Sequence, residues 1–137
     1  MKNKLTFKQV MMAGITAAGV AAVINALLFY IFHAMGLITD DIFVQPNQPM
    51  TVVSIIMASI VPALIASLVF FLFEKYTQNG FRIFSIVTII LMLLSLAGPF
   101  TGIPNVTTKY ALSLSLMHFV VPLSLLYFIN RSKKSNG

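Results

Sequence analysis

Gln9-Val-Met-Met-Ala13-Gly14-Ile-Thr-Ala17-Ala18-Gly-Val-Ala21-Ala22-Val-Ile-Asn25-Ala-Leu-Leu-Phe-Tyr-Ile-Phe-His33-Ala-Met35 contains no Asp, Glu, Lys or Arg. A membrane-crossing helix needs about 20 mainly apolar residues, because each adds about 1.5 Å across a hydrocarbon layer near 30 Å. The stretch exceeds that length. It also exceeds the ~7–15-residue apolar core of a secretory signal, so it reads as a retained first span. At about 100° per residue, Gly14, Ala17, Ala18, Ala21, Ala22 and Asn25 fall on one face. In lipid, apolar burial gives helices little drive to associate, and a face of small residues lets backbones approach. Met12, Val20, Val23 and Leu27 occupy the opposite side, suited to acyl chains.

Three further apolar runs follow, near Thr51–Phe73, Phe81–Gly98 and Thr107–Ile129. The chain of 137 residues is 58% hydrophobic and 9% charged, whereas soluble domains carry about 25% charged residues. One all-α integral membrane domain of four transmembrane helices therefore accounts for residues 1–137. The nine Lys and Arg residues set its orientation. Lys2, Lys4 and Lys8 precede the first run, Lys75 and Arg82 lie between the second and third, and Arg131, Lys133 and Lys134 follow the fourth. Only Lys109 falls on the other side. Cations near span ends resist translocation, so this layout predicts an antiparallel up-down bundle with both termini cytoplasmic. The net charge of +6 is then topogenic and lipid-facing rather than a nucleic-acid footprint. With no cysteine, disulfides and thiolate metal sites are excluded.

The connections agree with that order. Gly36–Met50 holds Asp40, Asp41, Pro46 and Pro49 but no cation, which places it outside; its Ile42-Phe43-Val44 either dips into the interface or caps the bundle. The short turn from Glu74 to Gly80 makes the second and third helices neighbours. Pro99 to Val106 is rich in helix breakers, and Tyr76, Tyr110 and Tyr127 fall near the interfaces, where amphipathic rings settle.

Few polar side chains remain at depth. Counted inward at about 1.5 Å per residue, Asn25 and His118 both lie ~15 Å from the outer ends, with Thr88 and Pro62 at a similar level. Thr108, Ser115, His118 and Pro122 share a face of the fourth helix. Pro122 cannot donate to the carbonyl of His118, nor Pro62 to that of Ala58. Asn25, Thr88, Ser115 and His118 thus form a candidate polar layer. It reads either as a binding or proton-accepting site or as interhelical glue worth about 0.6 kcal/mol per bond. Asp40, Asp41 and Lys109 form an outer charged cluster, within which an exposed ion pair is worth ~0–1 kcal/mol. His33 lies about 12 Å above His118 by the same rise, too far for the pair to ligate one haem. No cofactor, metal or catalytic residue is indicated, and zinc-protease, nucleophile-elbow and phosphate-loop patterns are missing. All three acidic residues fall in connections, which argues against a small multidrug exporter dependent on an embedded carboxylate.

Leu94-Ser-Leu-Ala-Gly-Pro99 and Thr108-Lys-Tyr-Ala-Leu-Ser-Leu-Ser-Leu-Met-His118, with Val61-Pro62-Ala63-Leu64 and the proline-containing outer loop, resemble a family of small four-helix bacterial membrane proteins with no assigned function. The resemblance implies a four-span fold in the cytoplasmic membrane and singles out Thr108, Lys109 and His118. It implies no activity. The expected function is non-enzymatic packing or interaction within the bilayer, with a second copy or a membrane-protein partner. The alternatives are a small transporter or channel passing Asn25 and His118, and a membrane enzyme that uses His118 with the outer acidic loop.

Overall fold

The computed structural model describes residues 4–137; Lys2, counted above among the N-terminal cations, lies outside the described residues. Four helices are long and apolar enough to cross a membrane: Phe7–Ala34, Val52–Tyr76, Gly80–Thr101 and Thr108–Ser135. In chain order the elements are helix α1 (Phe7–Ala34), strands β1 (Phe43–Gln45) and β2 (Gln48–Pro49), then α2 (Val52–Tyr76) and α3 (Gly80–Ser95). A single turn, α4 (Gly98–Thr101), precedes α5 (Thr108–His118) and α6 (Val120–Ser135). Apart from the minimal antiparallel hairpin of β1 and β2, the architecture is helical.

Local chemistry sets the helix ends. Thr6 and Gln9 form a capping box, with the Gln9 N–H donating to Thr6 Oγ1 (3.3 Å) and the Thr6 N–H to Gln9 Oε1 (2.9 Å). Two of the orphan donors of α1 are thereby satisfied. Thr51 and Ser54 repeat the device on α2. At its far end α1 closes through Gly36, whose φ of +66° suits a residue lacking Cβ. The Leu37 N–H then reaches back to the Phe32 carbonyl at 2.9 Å, completing a Schellman motif.

The face of α1 predicted to pack does so. Gly14, Ala17, Ala18, Ala21, Ala22 and Asn25 are all buried, while Met12, Val20, Val23 and Leu27 are exposed. α1 packs most heavily on α2 and next on α6. A cap covers the end of the bundle that carries the hairpin, with Ile38 and Ile42 buried among Phe29, Tyr110 and Leu114. Of the apolar loop triplet, Ile42 turns inward and Phe43 stays exposed.

The two prolines act differently. α2 runs unbroken through Pro62. The fourth long helix breaks at Phe119 into α5 and α6, one turn ahead of Pro122, where the His118 carbonyl has lost its i+4 donor.

α3 is held mainly near its start. Gly80 and Phe84 are its only buried residues, and no α3 residue after Phe84 is buried. The Phe84 ring stacks edge-on to Phe70 with centroids 5.2 Å apart. Gly80 lies so close to α2 that an added Cβ would stand 2.6 Å from Glu74 Cα. Past Phe84, a gap opens between α3 and the rest of the bundle.

All four helices differ in their bounds from the apolar runs: the first is Phe7–Ala34 and α3 stops at Ser95, while the second and fourth extend at their far ends. The second helix continues to Tyr76 and takes in Glu74, and the fourth runs to Ser135 rather than Ile129. In each case the helix extends past the apolar run into polar residues that have partners at that end.

Candidate functional site

The gap left by α3 is a cleft of about 620 Å³, within the range of about 300–1,000 Å³ typical of small-molecule sites. One wall comes from α2, from Ile55 to Val69, and another from α3, from Phe84 to Ser95. Leu114, Met117 and His118 of α5 and Val121, Pro122 and Leu125 of α6 form the floor, where Asn25 joins from α1. The lining is overwhelmingly aliphatic.

Of the four residues of the candidate polar layer, the structure brings Asn25, Thr88 and His118 to this one cleft, together with both prolines. Asn25 is 5% exposed. Its Nδ2 donates to Ser59 Oγ across the α1–α2 contact at 3.0 Å, and Ser59 Oγ donates onward to the Ile55 carbonyl at 2.9 Å. Asn25 Oδ1 is fully covered and has no donor among the described residues. His118 is exposed on the cleft side, with Nδ1 lying 2.7 Å from the Leu114 carbonyl. A carbonyl can only accept, so Nδ1 carries the proton, and in the neutral form of the ring Nε2 is the acceptor. Asn25 and His118 are not bonded to each other.

Ser115 departs from the layer. It is buried, donates to its own helix at Ala111 (2.9 Å), and approaches the Leu96 carbonyl at 3.4 Å, away from the cleft. A helical serine most easily satisfies itself on the preceding turn, and here that rotamer faces the end of α3.

The outer charged cluster is also arranged differently. Asp40 pairs with His33 at 3.3 Å, an exposed contact. Asp41 borders a second cavity of about 440 Å³ between the hairpin and the segment Gly102–Asn105. Lys109 is exposed and forms no ion pair among the described residues.

Sequence reasoning assigned Glu74 to a turn, and the structure corrects this. Glu74 is 3% exposed in the last turn of α2. Its Oε1 accepts from Lys133 Nζ and, at 3.4 Å, from the Leu5 N–H. Nearby, Lys4 Nζ donates to the Lys75 carbonyl (3.0 Å) and Gln9 Nε2 to Asn136 Oδ1 (3.0 Å). Both chain ends and the α2–α3 turn are thus tied together. The available signal was Gly80, whose missing side chain makes room for Glu74.

Among the described residues, no group of three or more His, Cys, Asp or Glu side chains gathers as a metal site would require. A model of a family of unknown function, DUF6069, matches residues 6–135. The chain belongs to the DUF6069 family. The resemblance read from the Thr108–His118 stretch was therefore to an uncharacterised family that covers nearly the whole chain. Neither a curated protein nor a solved structure matches it.

The Asn25–Ser59 contact makes a graded prediction. Asn25→Leu removes one membrane hydrogen bond together with an unsatisfied oxygen, so detergent stability should change by no more than about 0.6 kcal/mol. Ser59→Ala strands the whole amide in a buried site and should cost about 1–3 kcal/mol. Equal losses in thermal unfolding would refute this reading of the contact.

Proposed function

We propose that this DUF6069 member is a non-enzymatic protein of a bacterial cytoplasmic membrane that holds a lipophilic molecule in the cleft beside α3. Its four spans run up-down with both termini inside. That order is supported by the contacts joining Lys4, Glu74, Lys75, Lys133 and Asn136 at one end, and by the eight cations that the order places there.

The observation that carries the reading is the cleft itself. Helices in lipid gain their association from close packing, and α1 packs closely along its whole small-residue face. α3 instead leaves a space of about 620 Å³ bounded by side chains such as Ile65, Val69, Val87 and Leu91. A water-filled transport path would need a far more polar lining, so a resident apolar molecule fits better than an ion or a hydrophilic solute. The acyl-chain region of the bilayer supplies such molecules directly.

Val87→Trp places an indole in the cleft, whereas Leu123→Trp adds the same group at an exposed position that does not line it. In nanodiscs, wild-type protein and the Leu123→Trp variant are expected to bind a pyrene-labelled alkyl probe saturably, and Val87→Trp to lose that binding. Saturable binding that survives Val87→Trp unchanged would refute the cleft as the site.

A further inference from the structure

The polar groups on the cleft wall are unequally matched. Most of the protons they own are already committed: the Ser59 hydroxyl to the Ile55 carbonyl, the Ser95 hydroxyl to the Met92 carbonyl at 2.7 Å, and one of the two Asn25 amide protons to Ser59. His118 Nδ1–H is spent on Leu114. The acceptors remain. In its neutral form His118 has a free lone pair at Nε2, and the carbonyls of Ala58 and His118 have lost their i+4 N–H to Pro62 and Pro122; Asn25 Oδ1 also has no donor among the described residues but is covered. Ala58 and His118 both line the cleft. The Thr88 hydroxyl, which can donate or accept, is the one adaptable group.

A wall that offers acceptors selects an occupant that brings a donor, since polar groups left unpaired away from water are costly. Charge narrows the choice. The described lining contains no Asp or Glu, so an ammonium group at this depth would have no counter-charge and would be strongly disfavoured. We infer that the cleft takes a neutral lipid alcohol, an apolar body whose hydroxyl donates to His118 Nε2. This inference rests on the lipophile-binding reading above. The site's polar end is where Asn25, His118 and the two prolines meet, and the aliphatic walls of α2 and α3 accommodate the chain.

The test compares ligands on the unaltered protein, so it does not depend on any variant folding. Hexadecanol, hexadecyl methyl ether and hexadecylamine would compete for the pyrene-alkyl site in nanodiscs. Hexadecanol is expected to displace the probe at roughly tenfold lower concentration than the ether, the factor that one hydrogen bond formed away from water confers. His118→Leu should bring alcohol and ether to about parity. Equal potency of alcohol and ether on wild-type protein would overturn the donor assignment and leave lipophile binding standing. Greatest potency for the amine would overturn the neutral assignment. Failure of all three to displace a saturably bound probe would overturn it too, and absence of saturable probe binding would remove the underlying reading itself.

Discussion

Gly14→Leu is expected to prevent α1 and α2 from packing, giving the largest stability loss of any single change in the bundle. Even the first added atom has nowhere to go: a Cβ at Gly14 would stand 2.0 Å from Ser67 Oγ and 2.6 Å from Ser67 Cβ. Ser67 cannot swing aside, because it is fully buried and its Oγ donates to the Ala63 carbonyl at 2.7 Å. The helices themselves must separate, and the contacts of Ala17, Ala18 and Ala63 separate with them. Gly14→Ala should cost about 1–3 kcal/mol as simple overpacking, and Gly14→Leu more. Gly19 supplies the control, since nothing lies within 4 Å of its added Cβ. Gly19→Leu should stay within about 0.5 kcal/mol of wild type. Thermal unfolding in detergent measures all three, and Ser67→Gly should recover part of the Gly14→Ala loss. If Gly14→Leu and Gly19→Leu proved equally tolerated, the α1–α2 interface described here would be wrong.

Lys133→Met is expected to cost about 3 kcal/mol, the low end for breaking a buried ion pair. The Glu74 side chain is 4% exposed, so removing its partner leaves a carboxylate out of water with only the long Leu5 N–H contact. The low end applies because the Lys133 side chain is 24% exposed, and solvent already screens its side of the pair. Glu74→Gln alone should cost less, since Lys133 can turn to water. The decisive comparison is the double variant, in which Glu74→Gln added to Lys133→Met should restore most of the loss. Additive losses in unfolding would show that Glu74 is solvated in the folded protein.

What the sequence made legible was the chemistry that acts within one helix. The face from Gly14 to Asn25 follows from the 3.6-residue period and the need for small side chains in lipid, and those residues are buried. The break at Phe119 lies one turn ahead of Pro122, whose missing N–H is read directly from the sequence, although Pro62 leaves α2 unbroken. Harder to read was anything fixed by how helices meet. Glu74 follows an apolar run and precedes a turn, and only the approach of α6 and Gly80 reveals it as buried. Ser115 lies one helical turn from His118, yet it faces the end of α3 instead of the cleft. α3 carries Ser85, Thr88 and Ser95 toward one side, and such small polar residues suit a packed helix face as well as a cleft wall. That ambiguity hid the cleft, which exists because α3 is anchored at Gly80 and Phe84 and free of buried contacts beyond them.

The cleft lies within the bilayer only if the connections alternate across the membrane. The natural chain has no cysteine, so single cysteines at exposed positions report without background. Gln48→Cys and Thr101→Cys should react with a membrane-impermeant maleimide in intact cells. Gln78→Cys and Ser135→Cys should react only after the membrane is opened. Labelling of Gln78→Cys or Ser135→Cys from outside, or protection of Gln48→Cys and Thr101→Cys in intact cells, would contradict the four-span arrangement with inward termini.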